Sequence, residues 1–376
     1  MPSPSAALAQ AQRAKAALSL NGRPLTESPT ALIPNLVSNE MTGAPKPNNP
    51  RRTRTLSLPI ASLVLTLLTV CTVYAQPGPA GQNSATPGGP GRGGRGGFSR
   101  GQISPPGPPA PVPPEVAIPR PTADEIARMN ADLKQFIESS PDKELLKKWE
   151  SLIAVQAPRD NPCIRPTGSQ QNPRHQSFVN IAKTGDFDVL FLGDSITDLW
   201  NVEADPQGNP GGKRVFDKYF GDMKVANFGI SGDSTQGVLW RLQNGEGQGH
   251  KPKAVMLMIG TNNTGGASGP EIAEGIGAIV LELRKDFPDA KIMLLAIFPR
   301  GSSPADSNRR KCDEANKIIA KLDDQKHIFF TNINAKFLDD QGGLIGFRPS
   351  DHLHPVEEGY EIWATSVAPT LKSWIQ

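Results

Sequence analysis

The sequence predicts an α/β fold in which a five-stranded parallel sheet lies between two layers of helices, and two observations predict it. First, five short apolar runs alternate with longer amphipathic stretches along the C-terminal half, which is typical of strand–helix repeats. Second, the runs are almost continuously apolar, as expected of strands that are buried on both faces of a parallel sheet. The predicted strands are residues 188–193, 225–230, 254–260, 291–299 and 327–333.

The helices are predicted from apolar side chains at helical spacing. Those that follow strands cover about residues 235–244, 271–285, 306–322 and 356–374. An earlier helix begins after Thr122, because Thr122 and Glu125 form a capping-box pattern. Its apolar residues are Ile126, Met129, Leu133 and Phe136. We therefore divide the folded part into a helical lead-in, residues 122–184, and a sheet-containing domain, residues 185–376.

Glycine and proline, 37 of each, make up about a fifth of the 376 residues, against roughly 12% in average proteins. They are concentrated in residues 76–121, which hold 13 Pro and 11 Gly. Such a segment buries too little apolar surface to offset the entropy lost on ordering. We predict a disordered linker over residues 76–121, and a disordered N-terminal extension over residues 1–50.

Charge and cysteine content exclude several classes of function. The net charge is +3, but the excess of Lys and Arg lies before residue 122, so the folded part is weakly acidic and lacks the basic footprint of a nucleic-acid-binding domain. Three cysteines are too few for a disulfide framework or a Cys-rich metal site. The motifs of phosphate-binding loops, zinc proteases and EF-hands are absent from the sequence. We therefore expect no nucleic-acid partner, no metal and no cofactor.

Residues 51–75 have the pattern of a secretory signal. Arg51, Arg52 and Arg54 precede a charge-free run, residues 56–75, which ends in Val73-Tyr74-Ala75. Cleavage after Ala75 would release a periplasmic or secreted protein. The alternative is an uncleaved anchor at the outer face of a membrane, because 20 residues are just long enough to span a bilayer. Translation from Met41 would give this signal a conventional length.

Three of the predicted strands end in polar or glycine-rich turns. Ser195 follows the first strand, Gly232 the second and Asn262 the third. In open parallel sheets, ligands bind beyond the carboxyl ends of the strands, so these residues should meet in one crevice. The three turns offer a hydroxyl group, backbone N–H groups and a side-chain amide donor.

Asp351 and His354 lie three residues apart near the C-terminus. Residues at this spacing can share one face of a helical turn, which suits a carboxylate that orients an imidazole. A serine hydroxyl needs such a base, because it is almost wholly protonated near neutral pH. The oxyanion that develops needs fixed donors, and the N–H groups of Ser195 and Gly232 and the side chain of Asn262 are the candidates.

These motifs together resemble the GDSL esterases, also called SGNH hydrolases. The resemblance rests on residues 193–197 (GDSIT), 227–246 (NFGISGDSTQGVLWRLQNGE), 259–263 (IGTNN), 298–301 (FPRG) and 351–355 (DHLHP). It covers about residues 188–371, and within that family the platelet-activating-factor acetylhydrolase group looks most similar. The C-terminal block looks more like bacterial esterases of the wider family, and residues 204–213 look like an insertion beside the nucleophile.

The resemblance implies both a fold and a function. It implies a flavodoxin-like strand order and a serine esterase that acts on short-chain acyl esters, acetyl esters above all, through an acyl-enzyme. Ser195, His354 and Asp351 would form the triad, and Ser195, Gly232 and Asn262 the oxyanion hole. The substrate would be a small-molecule or carbohydrate acyl ester. A non-catalytic carbohydrate- or surface-binding module of the same fold is the alternative.

Each candidate residue also has a purely structural interpretation. Ser195 alone would suit a helix N-cap, Gly232 a turn and Asn262 a loop bridge. His352 and His354 would under-fill a zinc site. Asp194 is expected to brace its loop, and Trp240 is expected to lie in the core. Surface or packing positions are expected for His175, His250 and His327. A disulfide between Cys163 and Cys312 is left open.

Overall fold

The computed structural model describes residues 103–205 and 209–376. The predicted N-terminal extension (1–50), the predicted signal (51–75) and the first part of the predicted linker lie outside the described residues. Across the described ranges, no helix combines the length and the apolar character needed to cross a membrane.

The five strands form one parallel sheet in the order β2-β1-β3-β4-β5. This is the flavodoxin-like order, in which the chain reverses direction across the sheet after the second strand. The predicted fold class and strand order are therefore confirmed. The strands are β1 Val189–Gly193, β2 Val225–Gly229, β3 Ala254–Met258, β4 Lys291–Leu295 and β5 Ile328–Thr331.

Helices cover both faces of the sheet. The α-helices of the described residues are α1 Ala123–Ser139, α2 Lys143–Ile153, α3 Pro173–Thr184, α4 Ser195–Asp198, α5 Lys213–Phe220, α6 Thr235–Arg241, α7 Gly269–Asp286, α8 Ser307–Ile319 and α9 Glu357–Ile375. Shorter helical turns cover Pro162–Ile164, Leu199–Asn201, Leu242–Glu246, Thr261–Gly265, Ala320–Leu322 and Asn334–Phe337.

Two apolar cores lie on opposite faces of the sheet. Leu190 and Leu192 of β1 point into the core that α3, α6, α7 and α8 cover, whereas Phe191 points into the core beneath α5 and α9. All five residues of β1 are buried, because side chains that alternate along a central strand must enter one core or the other. The continuous apolar runs in the sequence have this physical origin.

The strands end earlier than predicted. The runs at residues 254–260 and 291–299 stay buried to their ends, but the strands stop at Met258 and Leu295. Gly260 has a φ of 125°, and a Cβ there would lie 2.9 Å from side-chain atoms of Ile272 and Ile297. The chain thus turns out of the sheet while it is still buried, so apolar character alone overestimates strand length.

The lead-in helix begins as predicted, and the Thr122–Glu125 capping box is present. Its apolar stripe differs from the prediction, because Ile137 is the buried residue whereas Phe136 is 39% exposed. The next helix, α2, buries no residue fully. Ile126, Met129 and Leu133 are half-buried, so the spacing of apolar residues indicated the side of α1 that packs and was wrong only at its last position.

The predicted linker is wrong at its C-terminal end, because residues 104–118 are ordered against the domain. The backbone N–H groups of Ser104, Gly107 and Ala110 donate to carbonyl groups of residues 168, 166 and 164 at 2.7–2.8 Å. Val116 is 3% exposed and belongs to the apolar core. A proline-rich chain is already extended and has little entropy to lose. Composition therefore overestimated disorder here.

Cys163 and Cys312 are free thiols, and both are buried. Burial raises the pKa of the Cys163 thiol to about 11 and that of the Cys312 thiol to about 12. The disulfide that the sequence left open is not formed, and the two residues behave as small core side chains.

Candidate active site

Ser195 is the first residue of α4 and directly follows β1 and Asp194. The Asp194 carboxylate caps this four-residue helix, because its Oδ1 accepts the N–H of Ile196 at 3.0 Å. The opposite side of the helix is held by Tyr360, whose hydroxyl donates to the carbonyl of Ile196 at 2.7 Å. Ser195 is therefore placed at the carboxyl edge of the sheet on a short, firmly held turn.

The structure brings Ser195, His354 and Asp351 into one hydrogen-bonded row. The Oγ of Ser195 lies 2.9 Å from the Nε2 of His354, and the Nδ1 of His354 lies 2.9 Å from the Oδ2 of Asp351. The His354 side chain is 23% exposed and that of Asp351 is 29% exposed. A base within hydrogen-bond distance of a hydroxyl, oriented by a carboxylate, is the geometry that activates a serine.

The Asp351 carboxylate remains ionised in this row. Its Oδ1 accepts the backbone N–H groups of Leu353 and His354 at 2.9 and 3.1 Å, while Oδ2 faces the imidazole. Partial burial by itself would raise the pKa of Asp351, but these hydrogen bonds outweigh it and hold the pKa below its ordinary value. The negative charge therefore favours a proton on His354 Nδ1, which leaves Nε2 to face the serine.

The loop that carries His354 is held from two sides. The N–H of Arg348 donates to the carbonyl of His354 at 2.9 Å, and the N–H of Gly301 donates to the carbonyl of His352 at 2.8 Å. His352 has a φ of 49°, which few residues other than glycine adopt. Within the described ranges, no group of three or more metal-ligating side chains contains the His352–His354 pair.

Gly232 and Asn262 lie on the turns after β2 and β3. Gly232 is exposed with a φ of 81°, and a Cβ there would meet nothing within 4 Å, so the space beside its Cα is open. The Nδ2 of Asn262 donates to the carbonyl of Asp233 at 2.7 Å. This bond uses one of the two amide hydrogens and leaves the other for a ligand.

The turn after β2 is tied to α4. The Oδ2 of Asp198 accepts the backbone N–H of Ser231 at 3.2 Å and its hydroxyl at 2.8 Å, and Arg174 pairs with the same carboxylate at 2.8 Å. The candidate nucleophile and the Gly232 turn therefore share one anchor. Asp198 and Arg174 were not singled out in the sequence.

Asp194 is fully buried, and its Oδ2 has no hydrogen-bond partner among the described residues. Burial, reinforced by the nearby Asp233 carboxylate, raises the pKa of Asp194 to about 7. The Asp194 side chain thus caps the helix beneath the site, which agrees with the loop-bracing role expected from the sequence. It takes no part in the hydrogen bonds that join Ser195, His354 and Asp351.

A second group of polar residues was missed as a set. Of the surface and packing positions expected for His175, the structure shows a buried one, in which its Nδ1 lies 2.8 Å from the Oε1 of Glu246. Glu246 in turn pairs with Arg241, and Arg241 pairs with Asp233. The available signal was a pair of opposite charges, Arg241 and Glu246, close to the apolar residues 238–240 in the sequence. Trp240 is 7% exposed and packs on His175, so its predicted core position is confirmed.

The described part of the predicted insertion touches the His354 loop. The Nη2 of Arg348 donates to the Oδ1 of Asn209 at 3.1 Å, and Arg348 also lies near the Asp351 carboxylate. Gly212 packs against the rings of Tyr360 and Trp200, where a Cβ would approach to 2.7–2.8 Å. The segment thus borders the site on the side of the candidate triad.

The sequence of the sheet-containing domain is similar to those of known proteins. Residues 191–362 match the model of the GDSL-like lipase/acylhydrolase family. The bovine (Bos taurus) platelet-activating factor acetylhydrolase IB subunit alpha1 is 32% identical over 209 residues, which are 54% of this chain and 85% of the relative. The rat (Rattus norvegicus) alpha2 subunit is 34% identical over 188 residues, 50% and 77% of the two chains. A GDSL-like lipase structure from Bacteroides thetaiotaomicron is 19% identical, with a TM-score of 0.39. The match covers 49% of this chain and 87% of that chain.

Proposed function

The chain belongs to the GDSL-like lipase/acylhydrolase family and is a carboxylic-ester hydrolase, and we propose that it cleaves short-chain acyl esters through a Ser195–His354–Asp351 triad. The observation that carries the proposal is the row in which His354 lies 2.9 Å from both the Ser195 hydroxyl and the Asp351 carboxylate. No metal or cofactor takes part in the proposed reaction.

In the proposed first step, Ser195 Oγ attacks the ester carbonyl carbon while His354 Nε2 takes the hydroxyl proton. Asp351 stabilises the imidazolium that forms. The tetrahedral oxyanion receives hydrogen bonds from the N–H groups of Ser195 and Gly232 and from the free amide hydrogen of Asn262. The open space beside Gly232 supports this assignment, because the oxyanion and its substituents need room there.

Collapse of the tetrahedral intermediate expels the alcohol, which takes the proton from His354 and leaves an acyl group on Ser195. Water then attacks the acyl-enzyme, with His354 as the base, and a second tetrahedral intermediate releases the carboxylic acid. The serine hydroxyl and the neutral imidazole are regenerated, so the balance is one ester and one water to one alcohol and one acid.

For the substrate we propose acetyl and other short acyl esters of a small molecule or carbohydrate. The acetylhydrolase relatives support the short acyl group. Export, which we propose from residues 51–75, favours acetyl groups on extracellular carbohydrate. The non-catalytic binding module gains no support, since the residues of the proposed triad are intact and in contact.

The test is hydrolysis of p-nitrophenyl acetate, butyrate and octanoate by wild type and Ser195→Ala. We expect Ser195→Ala to stay folded and to lose about three or more orders of magnitude in kcat, as triad serines do. Ser234→Ala is the matched control, because Ser234 lies at the same edge and its side chain makes no capping bond. A fluorophosphonate probe should label wild type and Ser234→Ala, which keep the Ser195 hydroxyl, and should not label Ser195→Ala. Unchanged turnover in Ser195→Ala would refute the proposal.

A further inference from the structure

Four ionisable side chains, three buried and one largely buried, form a row that ends beside the proposed oxyanion hole. His175 Nδ1 lies 2.8 Å from Glu246 Oε1, Arg241 Nη1 contacts Glu246 Oε2, and Arg241 Nε lies 2.9 Å from Asp233 Oδ2. Their side chains are 1%, 0%, 5% and 11% exposed in the order His175, Glu246, Arg241 and Asp233. None of the four is a member of the proposed triad.

Stability alone does not explain this row. Buried ion pairs recover little more than the cost of removing the charges from water, and apolar side chains of similar volume often replace them without loss. Within the described residues, Arg241 Nη2 and His175 Nε2 also lack hydrogen-bond partners, which adds to the cost. Because the row is costly and some of its hydrogen-bond donors have no partner, we look for a role in positioning other residues.

The row ends at Asp233, and Asp233 controls both donors that do not belong to the nucleophile. The N–H of Asp233 donates to the carbonyl of Ile230 at 3.1 Å and so closes the turn that carries the Gly232 N–H. The carbonyl of Asp233 accepts the Asn262 amide at 2.7 Å, which orients the remaining amide hydrogen. The Asp233 Oδ1 accepts the N–H of Ser234 at 2.8 Å, while Oδ2 faces Arg241.

Arg241 itself is held in one position. It is the last residue of α6, and the π-type turn Leu242–Glu246 that follows brings Glu246 back beneath it. That turn depends on Gly245, which has a φ of 118° and faces Val179 so closely that a Cβ would lie 3.1 Å away. The Phe178 ring lies 6.0 Å from the guanidinium carbon. The guanidinium therefore has little freedom to follow a displaced Asp233.

The charges support a fixed ion pair. Burial by itself would lower the pKa of Arg241, but Glu246 and Asp233 outweigh it and raise the pKa, so Arg241 is charged at all ordinary pH values. Burial raises the pKa of the Asp233 carboxyl, and Arg241 is the first of the contacts that oppose this. Loss of Arg241 would leave Asp233 to take up a proton or to turn towards water.

We infer that Arg241 is a positioning residue for ester hydrolysis, which clamps Asp233 and so aligns the Gly232 N–H and the Asn262 amide with the developing oxyanion. Glu246 and His175 hold Arg241 from the other side. Arg241 does not touch the substrate. The inference rests on the proposed function, because it assigns the alignment of the oxyanion donors proposed there.

The first test compares Arg241→Met with Arg309→Met. Arg309 is also buried, at 3% exposure, but donates to the carbonyl of Gly342 in a different part of the domain. We expect Arg241→Met to lower kcat for p-nitrophenyl acetate by about 10- to 100-fold with KM within about threefold, since the donors act in the transition state. Arg309→Met should lower the melting temperature and leave kcat within about twofold.

The second test is a double-mutant cycle with Asn262→Ala, which separates alignment from general destabilisation. Asn262→Ala should lower kcat by about 10²- to 10³-fold in the wild type. In Arg241→Met the same change should cost less than about tenfold, because the amide is already misaligned. In Arg309→Met it should cost as much as in the wild type.

Conservative variants keep the test decisive if Arg241→Met does not fold. Arg241→Lys retains a cation that reaches one carboxylate, and Glu246→Gln retains the shape of the support, so both should lower kcat by about 3- to 10-fold with an unchanged circular dichroism spectrum. Additive losses in the cycle, or a kcat within twofold of wild type in these variants, would overturn the inference. Activity retained by Ser195→Ala would instead refute the proposed function.

Discussion

His354 is the residue through which the other two members of the proposed triad act on each other. Its imidazole contacts Ser195 with one nitrogen and Asp351 with the other, at 2.9 Å each. The Asp351 carboxylate accepts three hydrogen bonds, two of them from backbone N–H groups of its own loop. The carboxylate therefore holds both the imidazole and the loop that carries it.

Asp351→Asn should disable this arrangement without unfolding the protein. One amide oxygen cannot replace both carboxylate oxygens, and an NH2 group facing His354 would favour the tautomer with its proton on Nε2. We expect kcat/KM for p-nitrophenyl acetate at pH 8 to fall by about 10²- to 10⁴-fold. Asp340→Asn, a change at an exposed carboxylate, should leave it unchanged. A loss of less than tenfold in Asp351→Asn would show that His354 does not need this partner.

Two neighbouring asparagines should respond in opposite ways. Asn262 is exposed and directs one amide hydrogen to Asp233, whereas Asn263 is buried and bonds Thr235 and Gln236. We expect Asn262→Ala to lower kcat by about 10²- to 10³-fold with little change in melting temperature. Asn263→Ala should lower the free energy of unfolding by about 1–3 kcal/mol and affect kcat much less. If Asn262→Ala costs less than threefold, Asn262 is not an oxyanion donor.

At the scale of secondary-structure elements, the site depends on where strands stop. β1, β2 and β3 end side by side, and the turns after them carry Ser195, Gly232 and Asn262. The parallel arrangement places these turns at one edge, and α9 begins just after the loop that carries His354. Each candidate residue thus lies next to a rigid element, which suits a reaction that tolerates little displacement.

The N-terminal strap, residues 104–118, is attached to the domain through Glu274 of α7. This buried carboxylate accepts the N–H of Ile118 at 2.8 Å, the guanidinium of Arg120 at 2.6 and 2.7 Å and the amide of Asn161 at 2.8 Å. Three separate parts of the chain therefore meet at one side chain.

Glu274→Ala should weaken this attachment selectively. Because it leaves several buried donors unpaired, we expect a loss of about 3–5 kcal/mol in the free energy of unfolding from urea denaturation. Endoproteinase Glu-C should then cut the released segment after Glu115 in the native protein. Asp217→Ala, which removes only an exposed pair with Lys213, should cost less than about 1 kcal/mol. Equal losses in the two variants would contradict this role for Glu274.

At the scale of the whole folded domain, stability should depend on pH through Asp194. Burial raises its pKa in the folded state to about 7, whereas an unfolded chain ionises it near the ordinary 3.8. The folded state thus keeps a proton that the unfolded state loses. The contribution of Asp194 to stability is fully present below about pH 4 and is lost as the pH rises through about 7.

Asp194→Asn has no proton to lose, so its stability relative to wild type should increase with pH over that window. We expect the difference in free energy of unfolding to change by up to about 4 kcal/mol between pH 4 and pH 8. Asp286→Asn is the matched control, because burial raises the pKa of Asp286 to about 6 and its transition should lie at lower pH. Parallel stability curves for wild type and Asp194→Asn would contradict a raised pKa.

Local sequence patterns predicted much of this structure because they depend on interactions between residues that are close together in the chain. The capping box at Thr122, the alternation of strands and helices, and the motifs at Ser195, Gly232, Asn262 and Asp351–His354 are short-range features. Composition was less reliable. It indicated a disordered linker up to residue 121, although the residues from 104 on find carbonyl partners in the domain.

The sequence by itself determined the class of fold, the order of its elements and the residue types available for chemistry, because apolar periodicity and turn residues act over a few positions. Only the tertiary structure decided that Ser195 and His354 meet across 159 positions and that His175, Glu246, Arg241 and Asp233 form one row. It also decided that Cys163 and Cys312 stay apart. The Ser195–His354 and His175–Glu246 contacts depend on how the layers pack, because no short window of the sequence contains both partners.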